Sequence, residues 1–396
     1  MNIKNQKNTS SSKNQITSFP SVDTKDGKVL NIGVIGAGEF GEFAIKSFLN
    51  IKGVNIIAIT DINLPAAKKL ADRIQTIVFN NLNDFLSNEK IDLVYIATPP
   101  FLHYEQSKMA LLAGKHVICE KPAALNLGEA KELVSLAASK QLLYVVNLMQ
   151  RYNILYDLVN KIIGEYILGN FLHGFFENYA SDEFLDANHW FWDISKSGGI
   201  FIEHGVHFFD MFSGWLGKGE MVNSLQIYRE GFNHRIIDRV QATVMFKKGV
   251  VNFYHGFDQP KILDRQEIRL EFERGEITLY EWVPVKMKLH GLLTLDQINS
   301  LKKLLKDPKI EYGSEGQTEN KKVRGRFKDI IFDKEITIEF GSKEDKQQRY
   351  KQLLELMITD QWEWIKDHNH KRKIDENNAV ESLQMAEQAT KMSRMF

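Results

Sequence analysis

The stretch LNIGVIGAGEFG, residues 30–41, decides the fold. A short apolar run of the kind that forms a buried strand leads into Gly36, Gly38 and Gly41 at G-x-G-x-x-G spacing, and an amphipathic segment from Glu39 to Leu49 follows. A second apolar run, VNIIAIT, residues 54–60, completes strand, helix, strand. The glycines have separate reasons: the first permits a tight turn, the second lets backbone approach a pyrophosphate, and the third lets helix and strand pack closely. The start of the helix adds unpaired N–H groups and a positive dipole end. Gly36, Ala37, Gly38, Glu39, Phe40 and Gly41 therefore predict a dinucleotide cradle.

Working outward, the second strand ends at Asp61, followed by Ile62 and Asn63. A carboxylate at that point accepts hydrogen bonds from the adenosine ribose hydroxyls and repels a 2′-phosphate, and no Arg follows to neutralise one. This favours NAD over NADP; a turn or helix-capping Asp is the other reading. Alternation continues through helices at Leu64–Ala71, near Leu82, at Leu102–Ala113 and at Leu127–Ser139, and through strands at Thr76–Phe79, Asp92–Ala97, HVICE and Leu142–Val146. Short apolar strands alternating with helices predict a doubly wound parallel sheet, a Rossmann domain over residues 29–149. Thr98, Pro99 and Pro100 fall at the carboxyl edge of that sheet and are expected to line the cofactor cleft. His103 is either a further cofactor contact or a capping or surface residue.

Beyond Gln150 strands follow strands, which predicts an α+β domain over 150–396 with a mostly antiparallel sheet. Within it, residues 300–327 are charged and read as an insertion or long loop, whose cluster Lys321, Lys322, Arg324, Arg326 and Lys328 reads as a solvated face. Residues 1–28 are polar, have no apolar core for a secretory signal and read as a flexible tail. A chain of 396 residues with 43% hydrophobic and 26% charged residues suits two globular domains with a cleft between them. Basic and acidic residues number 51 each, so no net field exists to collect nucleic acid or anionic membrane, and a small molecule is the expected partner. The single cysteine, Cys119, excludes an internal disulfide and any zinc site built on several thiolates. No stretch is apolar for long enough to span a membrane, and the cytoplasm is the expected compartment.

Two more motifs complete the picture: C-E-K-P at residues 119–122, ending the fifth strand, and G-G-I-F-I-E-H-G-V-H-F-F-D at residues 198–210. With the glycine-rich turn, in this order, they resemble the glucose-fructose oxidoreductase, inositol dehydrogenase and rhizopine-catabolism (Gfo/Idh/MocA) family over roughly residues 29–260. The resemblance implies a Rossmann domain followed by an open, mostly antiparallel sheet, an active site between them, and a homodimer or homotetramer formed through that sheet. It also implies that Lys121 lies beside the nicotinamide and the substrate hydroxyl, positioned by Glu120 and Pro122 across a bond that is often cis. The family's second motif is matched at Gly198, Gly199, His207 and Asp210, with Glu203 where Asp is commoner.

The residues argue for the same roles. On a regular helix Glu203, His207 and Asp210 stand at i, i+4 and i+7, a polar stripe facing the cleft. Oxidising an alcohol requires removal of the hydroxyl proton, for which His207 is the preferred acid/base, with Lys121 holding the alkoxide or relaying the proton. Which of the two is the base stays open. Arg151, Tyr152 and Asn153 resemble the family's polar run at the domain junction, which implies hydrogen bonds to substrate hydroxyls, and Trp192 is expected to offer a stacking face, with core packing as its alternative. A metal held by Glu203, His204, His207 and Asp210 is the disfavoured reading, and none is expected. The expected function is an NAD-dependent oxidoreductase acting on a sugar-like or cyclitol-like CH–OH group. An NAD-dependent glycoside hydrolase with a transient redox step and a non-catalytic NAD(H) sensor are the alternatives.

Overall fold

The computed structural model describes residues 29–229, 236–305, 308–313, 321–325, 328–341 and 344–396; the tail expected over 1–28 and Arg326 lie outside the described residues. The chain runs β1 (Leu30–Ile35), α1 (Glu39–Phe48), β2 (Val54–Thr60), α2 (Leu64–Ile74), β3 (Ile77–Phe79), α3 (Leu82–Leu86), β4 (Leu93–Ile96), α4 (His103–Leu112), β5 (His116–Cys119), α5 (Leu127–Lys140) and β6 (Tyr144–Val146). These six strands form one parallel sheet in the order β3-β2-β1-β4-β5-β6. Every residue of β4 is buried, as a strand covered by helices on both faces requires. Asn63, Asn81 and Asn126 cap α2, α3 and α5 with their side chains, whereas Gly38 starts α1 with no side-chain cap. The first turn of α1 thus keeps donors to offer.

After α6 (Ile154–Gly164) come β7 (Phe171–Tyr179), α7 (Ile194–Ser197), α8 (Val206–Leu216), β8 (Gly219–Tyr228), β9 (Ile237–Phe246), β10 (Gly249–Gly256), β11 (Arg265–Phe272), β12 (Gly275–Tyr280), β13 (Lys286–Leu293) and α9 (Leu295–Leu304). Then follow β14 (Lys309–Tyr312), β15 (Lys321–Arg324), β16 (Asp329–Phe332), β17 (Lys334–Gly341), α10 (Lys346–Lys366), α11 (Glu376–Met392) and β18 (Arg394–Met395). A ten-stranded sheet orders them β14-β17-β13-β12-β11-β7-β10-β9-β8-β18, antiparallel except at β7/β10 and β8/β18. Burial alternates along β11 and β13, the signature of a sheet covered on one face only.

The charged stretch 300–327 is more ordered in its described parts than a loop. Its start is the end of α9, which opens with a Thr294–Gln297 capping box, while β14 extends the large sheet and β15 pairs with β16. Edge strands tolerate charge because only one face packs, so apolar patterning does not announce them. Lys322 pairs with Asp329 and Lys328 with Glu273 on the surface.

The last two helices return to the first sheet. α10 packs against α1, and α11 touches α5 and β6 on one side and α8 and β8 on the other. Tyr152 donates to Asp360 of α10 at 2.6 Å, and the Leu127 amide at the start of α5 donates to Glu387 of α11 at 3.2 Å. No described helix is long and apolar enough to cross a membrane.

Candidate active site

The glycine-rich turn has the geometry a dinucleotide requires. Gly36 sits at φ +100°, and a Cβ there would meet the Ala97 carbonyl oxygen at 2.6 Å; a Cβ on Gly41 would meet the Gly36 oxygen at 2.1 Å. Gly38 faces open space, with nothing within 4 Å of its Cβ position. Two glycines are thus demanded by close backbone approach, and the middle one keeps the cradle clear at the uncapped start of α1. These residues fit a bound pyrophosphate. Ala37 is buried and Glu39 exposed, and Phe40 turns its ring onto α10.

Asp61 ends its strand with both carboxylate oxygens directed: one accepts the Ala37 amide at 2.6 Å and the other the Asn63 amide at 2.7 Å. That fixes the carboxylate beside the turn, where Ile62 is fully exposed. The loop Thr98–Pro100 follows β4 at the carboxyl edge of the sheet. His103 is fully buried behind it, its Nδ1 at 2.7 Å from the Pro122 carbonyl and its Nε2 at 2.7 Å from the Thr98 carbonyl. Both ring nitrogens lie against backbone carbonyls, so of the readings left open by sequence the surface residue is excluded and His103 is a buried strut between two cleft loops.

The Lys121–Pro122 peptide is cis. Glu120 is buried beneath it, accepting from the Tyr95 hydroxyl and, at 2.8 Å, from Asn147; burial pushes its carboxyl up from the ordinary range. The Lys121 ammonium reaches across to the second domain, where it donates to the Glu203 carbonyl at 2.8 Å and to the Glu203 carboxylate. One turn further on, His207 is buried, and its Nδ1 has no hydrogen-bond partner among the described residues. Burial first, and the Lys121 charge second, push its imidazole down to about 3. Lys121, Glu203 and His207, distant in sequence, therefore converge.

The expected polar stripe is only partly formed. Phe201–Gly205 wind as a π-helical turn before α8 begins. A turn wider than 3.6 residues changes the angle between Glu203 and the residues of α8, while within α8 Asp210 stands about 60° round from His207 and faces Arg151. It is buried against Arg151, which grips it with Nε and Nη2 at 2.8 Å each, while Arg151 Nη1 meets the Tyr156 hydroxyl at 3.0 Å and Asn378 donates to Asp210 at 3.1 Å. Arg151 and Asp210 thus bind one another instead of a substrate. Asn153 is also occupied, capping α6 and donating to the Pro284 carbonyl at 2.9 Å. The Trp192 ring packs among Phe191, Phe257 and the Arg229 guanidinium. That is the packing alternative rather than a free stacking face.

Sequence reasoning missed two neighbours of the site. Trp282, in the β12–β13 connection, lies 6.2 Å from the His207 ring between ring centroids. His204 holds His255 Nδ1 to Nδ1 at 2.8 Å, and both imidazoles are pushed far down by burial, His255 to about 3. Neither had a local signal: Trp282 follows a strand with no motif, and His255 is one more inward residue of β10.

Comparison with known proteins agrees with the fold. The family model for an oxidoreductase family with an NAD-binding Rossmann fold, GFO_IDH_MocA, matches residues 30–148. An uncharacterized oxidoreductase of Synechocystis sp. is 37% identical over 142 residues, 35% of this chain and 38% of the relative. The match thus spans well under half of that relative's length. Among solved structures, KijD10, a 3-ketoreductase from Actinomadura kijaniata in complex with NADP and TDP-benzene, superposes with a TM-score of 0.71 at 15% identity, covering 93% of this chain and 99% of that one. UDP-N-acetylglucosamine 3-dehydrogenase GnnA from Acidithiobacillus ferrooxidans gives 0.66 at 17% identity, covering 92% and 97%. At such identities the likeness to the solved structures is one of fold.

Proposed function

We propose, on the premise that the Rossmann domain of this chain belongs to the Gfo/Idh/MocA oxidoreductase family, that the protein is an NAD-dependent oxidoreductase acting on a hydroxyl or carbonyl carbon of a sugar, sugar derivative or cyclitol. The observation that carries this reading is the junction of Lys121, which follows a strand of the sheet that bears the glycine cradle, with the Glu203–His207 segment. The cradle and the start of α1 would hold the pyrophosphate, Asp61 the adenosine ribose, and the Thr98–Pro100 loop the wall of the cleft. The nicotinamide supplies the hydride acceptor or donor when bound.

The chain's own residues do the rest. Burial and the Lys121 charge keep the His207 imidazole neutral, and its partnerless Nδ1 can engage the reacting hydroxyl as the carbon is oxidised. Lys121 lies where it can stabilise the oxygen as negative charge develops, and Glu203 fixes the direction of its ammonium. The hydroxyl-rich substrate class is supported by the nature of the site, in which a few polar groups surround an aromatic wall at Trp282, and by the sugar-nucleotide substrate in the name of one structural neighbour.

The test is turnover. Purified protein given NAD and a panel of polyols, aldoses and inositols is expected to produce NADH with at least one member, and His207→Ala is expected to abolish it. Absence of turnover across the panel in either direction refutes the reading, and glycoside cleavage without net NADH points to a hydrolase. The cofactor preference has its own test in Asp61→Asn, which keeps an acceptor for the Ala37 amide but loses the charge. NAD affinity should fall by about tenfold, the worth of a charge-assisted hydrogen bond, and discrimination against NADP should shrink. A wild type that binds NADP more tightly than NAD defeats the assignment.

A further inference from the structure

α10 brings a residue to the site that helical periodicity alone assigns to packing. The Tyr350 ring lies against Phe40 and Phe43 of α1, at centroid distances of 5.8 and 5.3 Å, and edge-on to Trp282 at 5.2 Å. Phe40 belongs to the glycine-rich turn, and Trp282 borders His207. Tyr350 is therefore wedged between the cofactor cradle and the wall that carries the acid/base. Its hydroxyl lies within electrostatic reach of Glu120, Glu203 and Tyr95, which surround Lys121. That hydroxyl makes no hydrogen bond to the described residues and is not sealed in the core, since Tyr350 is only partly buried, so the O–H is open to a ligand.

We propose that Tyr350 is a substrate-binding residue, its O–H donating to a hydroxyl oxygen of the polyhydroxylated substrate other than the one that reacts, with the Trp282 ring covering the adjoining apolar face. The inference rests on the oxidoreductase reading above and extends it to a residue outside every motif. Donation rather than acceptance follows from the surroundings. Burial and the carboxylates Glu120 and Glu203 hold the phenol well above its usual range, so it keeps its proton at any working pH.

The experiment uses the full-length chain with Tyr350→Phe, which preserves the ring contacts and removes only the hydroxyl. Nucleotide affinity, followed by nicotinamide fluorescence, should be unchanged, while kcat/KM on the best substrate of the polyol and inositol panel falls by about tenfold. Among monodeoxy analogues of that substrate, one should already be poor for wild type and suffer no further loss in Tyr350→Phe, because the hydroxyl that the phenol contacts is gone. Unchanged kcat/KM, an equal further loss on every analogue, or a loss confined to nucleotide binding overturns the proposal and leaves the oxidoreductase reading intact. A wild type without turnover on any substrate defeats that reading first, and this inference with it.

Discussion

Lys121→Met lowers kcat/KM by about 10²–10⁴-fold, the range typical of losing a positioned proton-transfer or charge-stabilising group. Methionine keeps the length of the stem and removes the ammonium, so the Glu203 carboxylate, nearly buried at 10% side-chain exposure, loses its partner. An unpaired carboxylate in that position destabilises the fold as well as the site. The two effects separate in the double variant Lys121→Met/Glu203→Gln. It should recover the melting temperature of the wild type but not its rate, because the buried charge has gone while the transition-state oxygen still lacks a cation. A double variant that regains activity would show that the lysine matters only as a structural partner.

Mild acid should destabilise this protein steeply. His204, His207 and His255 are all buried, and their imidazoles are held far below the ordinary value of 6.5, chiefly by burial. The sign follows from linkage: the unfolded chain binds protons at these three positions as pH falls through about 6.5 and the folded chain does not, and His103, His116 and His173, also pushed down by burial, add in the same direction. Stability present above that pH is lost below it. The loss depends on proton number, not on the depth of each shift, and amounts to about 4 kcal/mol between pH 7 and pH 5.5 for three such groups. That is a large part of the stability of an ordinary domain. Glu120 and Asp210 act in the opposite direction, because burial raises their carboxyls, and so offset part of this loss as pH falls through their raised values. Denaturant titrations at several pH values measure the slope directly. His255→Leu removes one of these protons, so its slope should be smaller than that of the wild type whatever its absolute stability. A slope of less than one proton in the wild type sinks the argument.

The sequence carried different parts of this molecule with different clarity. The G-x-G-x-x-G turn was legible because each glycine answers a backbone constraint that no other residue satisfies, and the structure has those constraints at Gly36 and Gly41. Lys121 and His207 were legible through motif context. The stripe argument for Asp210 assumed a regular helix, and nothing in FIEHG announces a π-helical turn, while the pairing of Arg151 with Asp210 joins residues 59 apart that no local pattern connects. His103 looked ambiguous because its role depends on two carbonyls nineteen and five residues away. Trp282 and Tyr350 were invisible for a related reason: they reach the site from a strand connection and from a helix whose other residues explain its amphipathic pattern fully. Local periodicity finds faces, whereas a cleft is assembled from the ends of elements far apart in the chain.

The return of α10 and α11 to the first sheet restricts how the molecule can move. Two bodies joined by one linker can swing apart about it, but here the backbone passes between them before α6, again as α10 docks on α1, and again as α11 leads to β18 at the far edge of the large sheet. Several tethers on different sides leave no single axis for rotation. Entry and exit of ligands must then proceed by side chains and short loops yielding in turn, and turnover should respond more to the stiffness of the Thr98–Pro100 and Trp282 loops than to any wide gape of the two halves.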